Sequence, residues 1–266
     1  MFIHQAHNSI GDEIFNAYTY RNAKWLPHLH KAYELTYVVS GRIRATVAGK
    51  EYTLKTGECI LISPYQIHAY DESDGVTFIV VFAGSYVSEF SKLLNNREPS
   101  DARVFLSKQT RDYFREVMIG DCTLDETNIK KMQKPDLLSL KASLYAVCAD
   151  FMRTATLLPR QNGNYKLLFD ILSYVENNFT SDISLTGMAN ELGYDHRYIS
   201  RIFGSSLNIN FKTLVNQYRC DYAKRLLTST TLPVADIAMN SGFQSIRTFN
   251  RVFLETTGTY PSDFRK

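Results

Sequence analysis

The chain has 266 residues, of which 44% are hydrophobic and 21% charged, enough for two domains of ordinary size with separate cores. Its 30 Lys and Arg nearly cancel 27 Asp and Glu, which excludes a uniformly basic or acidic chain and leaves any polyanion contact to a local stripe. Four scattered cysteines, Cys59, Cys122, Cys148 and Cys220, lack metal-finger spacing and read as reduced thiols.

The N-terminus, "MFIHQAHNSIGDEIF", lacks the basic start and apolar run of a signal peptide. Up to Ala83 the texture is that of strands: "YELTYVVSG", "RIRATVAG", "KEYTLKTG", "ECILISP" and "VTFIVVFAG" are short β-branched runs punctuated by Gly or Pro. Their regular spacing suggests an antiparallel sandwich or small barrel. The longest apolar stretch, Val76 to Ala83, is far below the roughly 20 residues of a membrane span. A soluble, cytoplasmic protein is expected.

From about Tyr86 the pattern turns helical, with "SYVSEFSKLLNN", "KQTRDYFREVMIG" and a longer helix starting near Pro135. In that helix Leu137, Leu140, Leu144, Val147, Cys148 and Phe151 fall on one face. "LLPRQNGN" (Leu157–Asn164) is the candidate linker, and short helices follow it.

Two of the later segments repeat. "LTGMANELGYDHRYISRIFGSSLNINF" (Leu185–Phe211) aligns with "VADIAMNSGFQSIRTFNRVFLETTGTYP" (Val234–Pro261). Ala189 matches Ala238, Gly193 matches Gly242 and Tyr194 matches Phe243. After an inserted residue, Arg201 matches Arg251, Phe203 matches Phe253 and Asn208 matches Gly258. The glycine suits a positive φ at a helix end, and the alanine lets two helices cross closely. Asp195 in one copy and Gln244/Ser245 in the other sit where a second helix begins and its free amides need a cap. In the second copy Phe249, Val252 and Phe253 face inward, leaving Gln244, Ser245, Arg247, Thr248, Asn250 and Arg251 outward. In the first, Ile199, Ile202 and Phe203 face inward, leaving His196, Arg197, Ser200 and Arg201 outward.

This is the helix-turn-helix layout, whose second helix enters the DNA major groove. Arg suits guanine, Asn and Gln suit adenine, and Ser and Thr suit base edges or phosphate. Any surface helix can carry such residues, but two copies with one layout point to DNA. The helix between them, "FKTLVNQYRCDYAKRLL" (Phe211–Leu227), can hold two readers about one DNA turn apart.

"SLTGMANELGYDHRYISRIF", "YRCDYAKRLL", "VADIAMNSGFQSIRTFNRVF" and the closing "TGTYPSDFR", in that order and spacing, resemble the DNA-binding domain of AraC/XylS-type transcription regulators. Asn208 stands where the family usually has Gly, and Tyr260 where a small hydroxyl residue is commoner; Asn is the next best residue for a left-handed turn.

Earlier in the chain, "HLHKAYELTYVVSG" places His28, His30, Glu34 and Gly41 at the spacing of a cupin first motif, and "GECILISPYQIH" supplies Gly57, Pro64 and His68, similar to the second. Residues i and i+2 of a strand share a face, so His28 and His30 converge inside a barrel. Two chemistries fit. One is a metal-free effector pocket, in which His28, His30, Glu34 and His68 hydrogen-bond a polyol such as a sugar and Trp25 and Tyr37 stack on it. The other is a divalent metal, Fe, Mn, Ni or Zn, on the same three imidazoles and carboxylate. The second motif lacks the glycine after Pro64 and the asparagine after His68 of the enzyme pattern, so the metal-free pocket is the expectation, no cofactor being called for.

The expected architecture is multidomain, α and β. It has a cupin-like antiparallel β-barrel over 1–100, a helical dimerisation and linker segment over 101–160, and an all-α domain over 161–266 with helix-turn-helix motifs at about 184–204 and 233–254. The resemblance implies a regulator rather than an enzyme, most often an activator. It would act as a homodimer on a double-stranded DNA operator, with RNA polymerase and a small-molecule effector, a carbohydrate being the candidate, as further partners. Leu137, Leu140, Leu144, Val147 and Phe151 are the expected dimer face. The alternative is a cupin metalloenzyme, a dioxygenase or isomerase, with a helical appendage.

Overall fold

The computed structural model describes residues 3–4, 14–94, 97–120, 129–159, 164–204 and 210–265. Cys122, Asn208 and positions 160–163 of the expected linker lie outside the described residues. The chain divides into two compact units, Phe2–Arg160 and Gln161–Lys266.

The first unit is built on two long strands, β4 (Tyr33–Val47) and β7 (His68–Phe82), which pair antiparallel from Tyr33↔Phe82 to Val47↔His68 with two register shifts. Each then takes different partners at its two ends. β4 pairs with β6 (Cys59–Ile62) through Glu34–Tyr37 and with β5 (Lys50–Lys55) through Arg42–Val47. β7 pairs with β3 (Trp25–Leu29) near its start and with β2 (Phe15–Arg21) near its end. Short strands β1 (Ile3–His4), β9 (Arg103–Val104) and β10 (Ile129–Lys131) extend β3, β6 and β2, giving nine strands in the sheet among the described residues. A separate ribbon pairs β8 (Arg97–Pro99) with β11 (Leu157–Pro159). β4 runs through Gly41, where the sequence suggested two strands, and β2 and β3 were not anticipated.

β5 alternates as a strand with one wet face should, burying Tyr52 and Leu54 and exposing its lysines. The first half of β4 is buried on both faces because each face has a covering. Glu34 and Thr36 turn to one side, while Tyr33, Leu35 and Tyr37 turn to the other, where Tyr33 meets Phe90 and Tyr37 meets Phe114 at ring separations of 5.6 Å. Phe90 lies on α1 (Ser88–Leu93) and Phe114 on α2 (Lys108–Phe114).

The longest helix of this unit, α3 (Leu137–Thr154), is started by Asp136, whose carboxylate accepts the amides of Leu138 and Ser139. Leu140, Leu144, Val147 and Phe151 are at most 2% exposed and belong to the barrel's own core, with Phe151 edge-on to Phe90. That corrects the expected dimer face. Each such burial contributes about 1.5–3 kcal/mol to the fold of the single chain, and the face is already covered there. Only Leu137 of the set is exposed, beside Leu138. The segment expected to be a separate connector is thus part of the first unit. Cys59, Cys148 and Cys220 are buried free thiols, and burial pushes Cys148 up to about 12 and Cys220 up to about 11.

In the second unit the helices are α4 (Asn164–Asn178), α5 (Leu185–Leu192), α6 (His196–Ile202), α7 (Phe211–Ser229), α8 (Val234–Asn240), α9 (Ile246–Thr257) and α10 (Pro261–Phe264). The duplication is visible bond by bond. Tyr194 donates its amide to Ala189 at 3.0 Å, and Phe243 donates to Ala238 at 3.1 Å. Asp195 caps α6 at the amide of Tyr198, and Ser245 caps α9 at the amide of Thr248. Cys220, Ala223 and Leu227 of α7 share one core with Ile237, Ala238, Phe243, Phe249, Val252 and Phe253. The closing "PSDFR" seals it: Phe264 packs edge-on to Phe253, and Arg265 donates to the carbonyl of Leu232.

Gly193 and Gly242 both have positive φ, +72° and +86°, but their surroundings differ. A Cβ on Gly193 would meet nothing within 4 Å, whereas one on Gly242 would lie 2.7 Å from the Phe179 carbonyl oxygen and 2.8 Å from Thr180 Cα. Gly193→Ala should therefore cost only the left-handed penalty, about 1–2 kcal/mol. Gly242→Ala should cost clearly more, about 3 kcal/mol or above. Chemical denaturation of the two variants checks the order.

Candidate functional site

His28 sits on β3, His30 just after it, Glu34 on β4 and His68 at the start of β7. Strand pairing brings them together, since His28 lies directly across from His68. All four are buried, 1–4% exposed, and their candidate donor atoms lie within 4.8 Å of one another.

The hydrogen bonds settle how each ring faces. Nδ1 of His28 bonds the Leu26 carbonyl at 2.9 Å, Nδ1 of His30 the Ala32 carbonyl at 3.0 Å, and Nδ1 of His68 the Gln66 carbonyl at 2.9 Å. A carbonyl only accepts, so all three Nδ1 atoms carry the proton and all three Nε2 atoms present lone pairs when the rings are neutral. Nε2 of His30 is 3.1 Å from Glu34 Oε2, to which it donates when the ring is protonated, and Nε2 of His68 is 3.5 Å from the same oxygen. The His68 contact is not aligned as a hydrogen bond, and its Nε2 has no hydrogen-bond partner although fully buried.

Burial, reinforced by His68, lowers the His28 pKa to about 4, and burial lowers that of His30. Burial alone would raise Glu34, but the neighbouring His68 and His30 hold it well below the usual carboxylate range. Its other oxygen, Oε1, accepts from Tyr70 Oη at 2.5 Å, with the Thr36 hydroxyl 2.5 Å from Tyr70 Oη and 3.4 Å from Glu34. Imidazoles grouped around one buried carboxylate are balanced by a shared proton or by a bound cation. A divalent metal fits all four donors, with the carbonyls and Tyr70 acting as the outer partners that orient metal ligands.

The aromatic residues expected beside this centre divide. Trp25 is half-buried, edge-on to Tyr20 and Tyr70 at 4.4 and 5.7 Å, and so is one ring removed from Glu34. Tyr37 does not reach the centre. Strand alternation turns it to the opposite side of β4 from Glu34, where Arg115 donates to its hydroxyl and Phe114 covers its ring. Tyr70 was not among the expected residues. Its parity with His68, two positions along the same strand, was the available signal.

In the second unit α6 exposes His196, Arg197, Ser200 and Arg201, and α9 exposes Gln244, Ser245, Arg247 and Arg251, with Thr248 and Asn250 half-buried. Among the described residues Arg197 and Arg247 are free of any hydrogen bond or ion pair. Arg201, Ser245, Thr248 and Arg251 are partly engaged. Arg201 lies over the Tyr198 ring at 5.3 Å, Ser245 is tied to Thr248 as the helix cap, and Arg251 Nη1 bonds Glu255 at 2.8 and 3.0 Å. Ile246, missed by the polar criterion, is 43% exposed at the first position of α9, where an apolar side chain suits a thymine methyl.

A cupin domain family matches residues 22–82, and a helix-turn-helix domain family matches residues 188–266. YfiF of Bacillus subtilis (strain 168), described as an uncharacterized HTH-type transcriptional regulator, is 24% identical over 247 residues, 90% of this chain and 78% of that protein. An HTH-type regulator of Staphylococcus aureus (strain MRSA252) is 33% identical over 95 residues, covering 36% of this chain and 13% of that longer protein. ToxT of Vibrio cholerae shares the fold over 96% of this chain and 98% of its own, at 16% identity and a TM-score of 0.50. A second ToxT structure, bound to (E)-4-(8-methylnaphthalen-1-yl)but-3-enoic acid, covers the same shares at 17% identity and 0.51. A cupin domain followed by a duplicated helix-turn-helix defines a transcription regulator that binds DNA. The C-terminal part of the chain is similar to the AraC-type helix-turn-helix domain.

Arg247→Ala should weaken DNA binding by about 1–3 kcal/mol and relax preference at one base pair. Glu255→Ala should do the opposite, releasing Arg251 and tightening binding roughly two- to fivefold at low salt. Fluorescence anisotropy on duplex DNA measures both.

Proposed function

We propose that this regulator senses a small, oxygen-bearing molecule at a divalent metal held by His28, His30, Glu34 and His68, and alters DNA binding accordingly. The observation that carries this reading is the set of three Nδ1–H to carbonyl bonds, which leave the three Nε2 atoms free to face a shared ligand, within a cluster whose donor atoms lie within 4.8 Å of one another. A bound metal supplies a Lewis-acid site for hydroxyl or carboxylate oxygens, so a sugar remains a fitting effector. The protein's own residues do the rest: the carbonyls fix the ring tautomers, Tyr70 and Thr36 orient Glu34, and burial excludes competing water. An effector shifts DNA binding only by favouring one arrangement of the chain over another. As the family resemblance implies, the regulator works as a homodimer in the cytoplasm, activating transcription with RNA polymerase.

The same four donors would also serve a metalloenzyme. Free arginines at the outward face of both second helices favour the regulator. Protein purified without chelators should retain about one divalent metal per chain, and Co or Ni added to the stripped protein should quench Trp25, the single tryptophan. Tyr70→Phe should leave the fold intact and weaken metal binding about 10–100-fold. Absence of both retained metal and a Trp25 response would overturn the metal reading, and turnover without operator binding would favour the enzyme.

A further inference from the structure

Between α4 and α5 the chain passes through Phe179, Thr180 and Ser181, the segment that leads into the first helix-turn-helix. Arg219 of α7 grips this segment twice, donating from Nε to the Phe179 carbonyl at 2.7 Å and from Nη2 to the Ser181 carbonyl at 2.8 Å. Its guanidinium lies 5.8 Å from the centroid of Phe243, the aromatic anchor of the second helix-turn-helix. Gly242, beside that anchor, presses against the same segment so closely that no side chain fits. Phe179 in turn packs its ring on Tyr218 and Tyr222 of α7, at 5.9 and 5.5 Å. The start of one DNA reader, the turn of the other and the helix between them therefore meet at a single guanidinium.

We propose that Arg219 is a positioning residue that fixes the separation of the two readers, and hence the spacing of the two DNA half-sites they accept. It does not touch DNA in this role. Its planar fork makes both carbonyl bonds at once, which the ammonium of a lysine, a single point donor, cannot reproduce. With the grip lost, each helix-turn-helix keeps its own core and its own bases, while the two can turn relative to each other about α7. This inference rests on the DNA-reading function of α6 and α9.

The test is binding-site selection by the full chain from random duplex DNA, followed by affinity measurements on the selected duplex with base pairs inserted between its two half-sites. The wild-type chain should select two short motifs at one separation, and one inserted base pair should weaken its binding at least about tenfold. Arg219→Lys and Arg219→Met should select the same two motifs over several separations and lose less than about threefold on insertion. Thermal melting confirms that the variants are folded. Variants with the wild-type spacing profile would overturn the proposal, leaving Arg219 a residue of stability alone, and so would an Arg219→Lys chain that does not fold. Failure of the wild-type chain to select any motif would instead remove the DNA-reading function on which the inference rests.

Discussion

Two fifteen-residue strands, β4 and β7, pair with one another from end to end, and the first unit is arranged around that pairing. Because each changes its outer partner halfway along, β6 to β5 for one and β3 to β2 for the other, the sheet wraps instead of lying flat. Glu34 is near the start of β4, and His68 begins β7; β3 brings His28 against His68. A slip of one residue in the β4–β7 register would turn Glu34 to the helix-covered side and exchange it for Leu35. The donor cluster is thus a property of register, and register is held by the buried residues on both faces of β4.

Given that placement, the backbone decides the chemistry. Each imidazole spends its only proton on a carbonyl two residues away, which is a local device available to a strand end or turn. With the rings neutral, Glu34 is served by the hydroxyls of Tyr70 and Thr36 and not by an imidazole. A cluster of this kind differs from an ordinary polar pocket, in which donors and acceptors alternate and a polyol can satisfy both. Here the imidazole side of the pocket offers acceptors when the rings are neutral, which suits the cation proposed above.

How much of this was legible in the sequence follows from which signals are local. The duplicated helix-turn-helix could be read because caps, turn glycines and inward phenylalanines recur within short windows. The three histidines and Glu34 could be read because spacing of two and four residues fixes strand faces. The same period places Tyr37, three residues from Glu34, on the other face, so its assignment to the pocket failed on parity. The apolar face of α3 was correctly periodic, but periodicity reports that a face is covered and not by what; here the covering is the chain's own barrel. β2, "FNAYTYR", was missed because its polar residues break any apolar run, and it is held by β7 and not by its own pattern. Arg219 reaches carbonyls about 40 residues away, a contact that no window of sequence contains.

The pairing of Arg251 with Glu255 has a consequence for how the protein samples a genome. Random DNA offers every outward arginine the same phosphate charge, and an arginine already neutralised within its own helix gains less from it. A guanine edge offers two aligned acceptors, which can displace the carboxylate where a lone phosphate does so poorly. Any contact that Arg251 makes with DNA has to displace Glu255, which favours a partner with two aligned acceptors over a lone phosphate.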